Sequence, residues 1–364
     1  MKFSIRHSRK KWMTYTAVFA IACMIALTGC GQGNSSEGAA SPSSQPPSAS
    51  SESPSSSPSA SGQGLKIGMV TDTGGVNDNS FNQSSWEGLQ QLSQETGIEV
   101  KYLQSKADSD YLPNLNQFAK QNYDLTWGIG YIIADSMKLS AEQNKDARFA
   151  IIDNVVEMPN IQSVTFAEHE GSFLVGVVAG LTTQSNKVGF IGGLEIPVIK
   201  RFEAGFKAGV AAVNPNATVS VNYTGAFDKP DLGKAAAATL YNDGVDILFH
   251  AAGSTGNGAF NEAKDRVKNG QKVWMIGVDK DQSLIFGNEV TLTSMVKRVD
   301  EAVKLVSKSV IDGTFQGGTV LSLGLKDNGV GLPADNPNLS QEVLDKVEEY
   351  KAKIVSGEIE VPTE

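Results

Sequence analysis

Short runs rich in β-branched and apolar residues alternate along this chain with stretches whose apolar positions recur at helical spacing, beginning at Leu65. Residues 65–72, 99–104, 124–130 and 149–153 read as strands. Between them Trp86, Leu89 and Leu92 share one helical face, as do Leu115 and Phe118. Such alternation predicts parallel sheets with helices on their faces. A second series starts near Lys187, with strands expected over 188–192, 218–223, 247–251 and 273–278 and a helical stretch over 201–213. Residues 173–181 are apolar on every side and too few to span a bilayer, so they predict a helix buried near the junction of the two series. Two later strand-like runs, 291–296 and 319–325, flank a helical stretch over 300–311 and have no sheet of their own. The economical arrangement is that the chain crosses back to the first domain there and then returns. The expected fold is α/β: two doubly wound parallel-sheet domains joined by hinge strands, with a ligand cleft between them. The first domain is expected to hold residues 65–185 and about 291–315, the second 186–290 and about 316–364.

The first 64 residues lack this alternation. Lys2, Arg6, Arg9, Lys10 and Lys11 precede an apolar core from Ala17 to Leu27, and Leu27-Thr28-Gly29-Cys30 follows. That order is the basic region, apolar region and lipobox of a lipoprotein signal peptide over residues 1–29, with an apolar core shorter than the ~20 residues of a spanning helix. Cys30 is then the lipidation site, and its acyl chains supply the two hydrophobic anchors that stable membrane attachment needs. Residues 31–64 are almost all Ser, Pro, Gly, Ala and Gln, a composition that cannot bury a core and serves as a disordered tether. An anchor on a long tether suits the outer face of a Gram-positive cell membrane. The ~300 residues that remain exceed one ordinary core and suit two domains.

Charge and residue inventory narrow the function classes. The net charge of −9 falls to −14 once the five signal cations are removed, which disfavours nucleic acid and anionic lipid headgroups as partners. The two cysteines, Cys23 and Cys30, leave no disulfide, thiolate nucleophile or thiolate metal site in the mature chain. Beyond His7 in the signal, His169 lies in a polar stretch and His250 ends an expected buried strand, so neither a metal site nor a Ser-His-Asp triad is indicated. Asp72-Thr73-Gly74 matches the aspartic-protease triplet, but no second triplet exists to share its proton. The loop at Gly253 has neither dinucleotide nor P-loop spacing. A binding protein without catalytic residues, metal or cofactor is the expectation, acting as a monomer.

In an open parallel sheet, ligands bind beyond the carboxyl ends of the strands, and the polar residues of this chain concentrate there. The first expected strand runs into the Gly- and Asn-rich loop 72–83, where Ser80 or Asn79 could cap the following helix and Phe81 could stack on a ligand. Other strand ends carry Gly128-Ile129-Gly130-Tyr131 with Asp135 a turn later, Gly192-Gly193, Gly225-Ala226-Phe227-Asp228, the glycines around Gly253, and Asp279-Lys280-Asp281. Each alone is an ordinary strand-to-helix turn. Their joint occurrence in both series favours a cleft.

The loop Gly74-Gly75-Val76-Asn77-Asp78-Asn79-Ser80-Phe81-Asn82-Gln83 resembles that of the basic membrane protein (Bmp) family of lipoproteins, the purine-nucleoside receptors of ABC importers. Colinear matches continue through Gly189-Phe190-Ile191-Gly192-Gly193, the stretch 197–206, Ala251-Ala252-Gly253, Ile276-Gly277-Val278-Asp279 and Thr293-Ser294-Met295-Val296-Lys297-Arg298. The resemblance implies a type I periplasmic-binding-protein fold. It implies a base sandwiched between Phe81 and Phe227, bonded by Asn82 and Asp135, with Asp279 and Lys297 on the ribose and Gly253 allowing close approach. It also implies partnership with an ABC permease. Few arginines fall at strand ends, so an uncharged nucleoside is expected rather than its phosphate. A receptor of the same fold for a sugar, amino acid or signalling molecule, and a surface enzyme acting on nucleosides, are the alternatives.

Overall fold

The computed structural model describes Gly62 and residues 64–364. The signal peptide, Cys30 and nearly all of the tether lie outside the described residues. The first series builds strands β1 (Lys66–Thr71), β2 (Glu99–Gln104), β3 (Leu125–Ile129), β4 (Phe149–Ile152) and β5 (Ile161–Phe166), with helices α1 (Phe81–Thr96), α2 (Tyr111–Lys120) and α3 (Ala134–Gln143) between them. β3 and β4 are buried at every position, as strands covered on both faces must be, whereas the edge strand β2 is largely exposed. Helix α4 (Glu168–Thr182) then leads to β6 (Lys187–Gly192), α5 (Pro197–Val213), β7 (Thr218–Tyr223), α6 (Pro230–Asn242), β8 (Ile247–Ala251), α7 (Ser254–Lys268), β9 (Trp274–Asp279), the short α8 (Ser283–Phe286) and β10 (Thr291–Lys297). The chain closes with α9 (Val299–Ile311), β11 (Val320–Leu323), β12 (Val330–Gly331) and α10 (Gln341–Val355).

Two six-stranded sheets result, in the orders β11-β5-β4-β3-β1-β2 and β12-β10-β9-β8-β6-β7. All pairings are parallel except β10 with β12. The two-lobed α/β architecture expected from the alternation is present, and three crossings join the lobes: β5 to α4, β10 to α9, and β11 to β12.

The late crossovers differ from expectation in three places. β10 stays in the second sheet beside β9 instead of joining the first domain. Of residues 291–315 only α9 crosses, seating itself on α1 and β3: a Cβ on Gly88 would lie 2.5 Å from the Asp300 carbonyl oxygen, and Trp127 Nε1 donates to Ser307 Oγ at 2.9 Å. β11 joins the first sheet rather than the second, because eight residues separate it from the end of α9 and the free edge within reach is that of β5. Helix α4, expected in the first domain, packs on the second. Its backbone lies directly on α5, where Cβ atoms on Gly205 and Gly209 would fall 2.1 and 2.0 Å from the His169 and Phe173 carbonyl oxygens. An amphipathic pattern identifies an element and its buried face without naming the sheet edge or helix that meets it, so these three assignments were open to error. As its all-round apolarity predicts, α4 is buried over most of its length. Among the described residues, no helix is long and apolar enough to cross a membrane.

Candidate functional site

The carboxyl ends of β1, β3, β4 and of β6, β8, β9, β10 point at one another across a cleft. Phe81, Asn82, Phe227, Gly253, Asp279 and Lys297 all line it. Asp135 does not. A 3₁₀ turn over Tyr131–Ile133 delays the start of α3, which turns Met137 into the core and leaves Asp135 exposed on the solvent side. The carboxylate that reaches the cleft from this part of the sheet is Asp153, the residue after β4.

The β1 loop is built around buried carboxylates. The expected cap of α1 by Ser80 or Asn79 is not made. Asp78 takes that role instead, its carboxylate accepting from the backbone N–H groups of Ser80, Asn82 and Gln83 at 2.9, 2.9 and 3.0 Å. Ser80 Oγ is thereby released to donate to the Asp279 carboxylate on the other lobe. Asn82 Nδ2 donates to Asp72 Oδ1 at 2.8 Å and to Asp78 Oδ2 at 3.0 Å, which fixes the amide with its oxygen outward. Asn82 Oδ1 is buried and has no partner, so the cleft offers an acceptor to any donor that enters.

The second lobe contributes the opposite chemistry. Val198, Ile199 and Phe202 on the first turns of α5 form an apolar shelf beside Phe227. A Cβ on Gly193 would fall 2.2 Å from the Phe227 ring, so glycine there is what lets the ring lie against the end of β6. Gly253 opens α7 with φ of 52°, a conformation suited to glycine. Asp153 and Asp279 also have positive φ, 72° and 64°, tolerated by Asp and directing each side chain off its strand end.

Lys297, 1 % exposed, is the only cation among the residues lining the cleft. Its Nζ pairs with Asp153 Oδ1 at 2.6 Å and Glu168 Oε1 at 3.0 Å, and lies 5.0 to 5.6 Å from the ring centroids of Phe81, Phe166 and Phe202. Burial pushes Asp72 and Asp279 up to about 7, against the opposing hydrogen bond of Asn82 on the first and the charge of Lys297 on the second. Across the mouth, Asn257 Nδ2 donates to the Asp78 carbonyl at 3.1 Å, Gln282 Nε2 to the Asn79 carbonyl at 3.0 Å, and Lys280 pairs with Glu87 at 2.5 Å. The lobes are therefore in contact, as in a closed cleft. His250 is structural: fully buried, its Nε2 lies 2.8 Å from Gln282 Oε1, and burial holds it down to about 4.

Residues 65–364 match the family described as Bmp, ABC transporter substrate-binding protein PnrA-like. The chain belongs to the Bmp family. It is 48 % identical over 318 residues to the CD4+ T-cell-stimulating antigen of Listeria monocytogenes, covering 83 % of this chain and 89 % of that one. To the ABC transporter nucleoside-binding protein BmpA of Lactococcus lactis it is 40 % identical, covering 82 % and 89 %. A solved ABC transporter solute-binding protein from Aeropyrum pernix superposes with a TM-score of 0.76 at 28 % identity, covering 82 % of this chain and 94 % of that one. As a Bmp protein the chain is a substrate-binding protein of an ABC transporter, with a periplasmic-binding-protein-like fold.

Two groups of cleft residues escaped the sequence reading. Asp72 and Asp153 directly follow β1 and β4, so the strand-end rule could have found them. Val198, Ile199 and Phe202 read as core positions of an amphipathic helix, and no local signal separates such a residue from one that faces a ligand.

Proposed function

We propose that this Bmp protein is the extracytoplasmic receptor of an ABC importer and binds an uncharged nucleoside, a purine nucleoside first among them, in the cleft between its lobes. The observation that carries the reading is the placement of Phe81 and Phe227 from opposite lobes on one cleft that is also lined by Asp279 and Lys297 and by Asn82, whose Oδ1 is unpaired. Two aromatic faces suit a planar base, with stacking worth ~1–3 kcal/mol per base. The carboxylate of Asp279 can accept from sugar hydroxyls, and Lys297 can donate to their oxygens. Asp72, Asp78, Asp153 and Asp279 against a single lining lysine disfavour a phosphate. The Lactococcus relative carries nucleoside binding in its name. The receptor is proposed to act as a monomer, held at the cell membrane through lipid on Cys30, and to hand its ligand to the permease unchanged.

Titration calorimetry with inosine, guanosine and free ribose tests the ligand. Inosine and guanosine should bind and ribose should not, and Phe81→Ala with Phe227→Ala should abolish the binding. Unchanged affinity in the double variant would refute the sandwich, and recovery of free base after incubation would make the protein an enzyme.

A further inference from the structure

Glu168 is 0 % exposed, lies outside the lining of the cleft, and has no place in the ligand set discussed above. It opens α4 two residues after β5 leaves the first sheet. Its Oε2 accepts from Arg201 Nε of α5 at 2.8 Å, and its Oε1 from Lys297 Nζ at 3.0 Å. Lys297 is itself the last residue of β10, where the chain turns back to the first lobe. One carboxylate thus ties together two of the three crossings between the lobes and a helix of the second.

An ammonium group has three N–H donors and free rotation about its last bond. On Lys297, one donor goes to Asp153 Oδ1, which belongs to the first lobe, and one to Glu168, which is held by the second. The rings of Phe81, Phe166 and Phe202 close around the same nitrogen. With two hydrogens committed and the rings occupying the sides, the third hydrogen is left for what enters the cleft. Without the Glu168 charge, the ammonium would lose its hydrogen bond on the α4 side and would be drawn to the carboxylates that remain, Asp153 of the first lobe and Asp279 of the second. Arg201 fixes Glu168 in turn and balances its charge.

We infer that Glu168 is a positioning residue for ligand binding: it sets the direction of the Lys297 ammonium at the hinge, so that its third hydrogen is presented to the ligand. The binding arm of the test rests on the nucleoside reading above, and the spectroscopic arm does not.

The spectroscopic arm records the side-chain ammonium resonances of ¹⁵N-lysine-labelled, ligand-free protein, with the Lys297 signal assigned by its loss in Lys297→Met. In the wild type its hydrogen bonds shield that ammonium from exchange and give a separate signal. Glu168→Gln should shift it or broaden it beyond detection, and Arg201→Gln should move it less. A signal unchanged in Glu168→Gln overturns the inference, whether or not any nucleoside binds. The binding arm uses inosine. Glu168→Gln and Lys297→Met should each weaken it by about tenfold, and the double variant should bind no worse than Lys297→Met alone, since the first residue acts through the second. Effects that multiply would make Glu168 a structural residue only. Should Glu168→Gln fail to fold by circular dichroism, Arg201→Gln carries both readouts, and an unmoved Lys297 signal there overturns the proposal equally. Failure of the wild type to bind inosine would sink the nucleoside reading while the resonance still decides the role of Glu168.

Discussion

The two lobes bring unlike surfaces to one cleft. The first supplies Asp72, Asp78, Asn82 and Asp153 with two aromatic residues, Phe81 and Tyr131. The second supplies Val198, Ile199, Phe202, Phe227 and Val278, and then Asp279 and Lys297 at the ends of β9 and β10. The polar side is held in place before any ligand arrives, because Asp78 caps α1 and the two carboxylates fix the Asn82 amide. The apolar side is held by packing of α5 on α4. A ligand therefore meets fixed hydrogen-bond geometry on one wall and desolvation on the other, and obtains both only when the lobes meet. Binding that is stronger in the closed form shifts the population towards it, which is the signal a permease can read.

The contrast breaks most visibly under pH. Asp72 and Asp279 titrate near 7 in the folded protein and near the ordinary ~3.9 when unfolded, so both bind protons more tightly in the folded state. Their contribution to stability is therefore fully present below about pH 4 and is lost as pH rises through about 7. The ligand-free protein should gain stability on going from pH 8 to pH 5, by up to ~1.4 kcal/mol per pH unit for each group. Asp279→Asn should remove one group's share of that slope in thermal melts. A ligand that donates hydroxyls to Asp279 favours its ionised form, so inosine binding at pH 6 should release protons, seen as a dependence of calorimetric heat on buffer ionisation enthalpy. Asp279→Asn should reduce this release.

A smaller effect separates what the two walls do. Phe227→Ala should weaken inosine, guanosine and adenosine alike, by ~1–3 kcal/mol, because every base has a π face. Asn82→Ala acts at the base edge, where purines differ in their donors, and should change the ratio of their affinities by about fivefold, the worth of one hydrogen bond of ~1 kcal/mol. Equal ratios in Asn82→Ala, or altered ratios in Phe227→Ala, would exchange the roles assigned to the two walls.

The same contrast explains what the sequence made legible. On both lobes, loops after strands carry Gly, Asn and Asp in dense runs, and the positions of Phe81, Asn82, Phe227, Gly253, Asp279 and Lys297 on the cleft could each be read with the help of the family pattern. Asp135 was misplaced because one 3₁₀ turn, which no residue pattern announces, rotates the start of α3 away from the cleft. The α5 part of the apolar wall was silent, since Ile199 and Phe202 look the same whether they face a ligand or a neighbouring helix. At the level of the fold, most strands of both series are legible from their apolar runs, but β5, β12 and α10 are not. The partner edges of β10 and β11 were not legible, because pairing is decided by connection length and the position of α9.

The smallest expected effect lies at the rim, where the lobes touch each other directly. Lys280 and Glu87 pair at 2.5 Å across the mouth, with side chains 21 % and 46 % exposed. Water and salt screen such a pair, so its worth is at most ~1 kcal/mol despite the short distance. The buried bonds beside it, from Ser80 to Asp279 and from Gln282 to the Asn79 carbonyl, carry more of the lobe contact. Glu87→Gln should therefore leave ligand affinity within about fivefold of the wild type and should change mainly its salt dependence: the two proteins should differ at low ionic strength and converge as salt is added beyond a Debye length of ~3 Å at 1 M. Solution scattering on the ligand-free variant should show a radius of gyration equal to or slightly larger than that of the wild type. A large, salt-insensitive expansion on losing this one rim charge would mean that closure is governed at the surface rather than by the buried walls, and would reverse the order of importance drawn from their comparison.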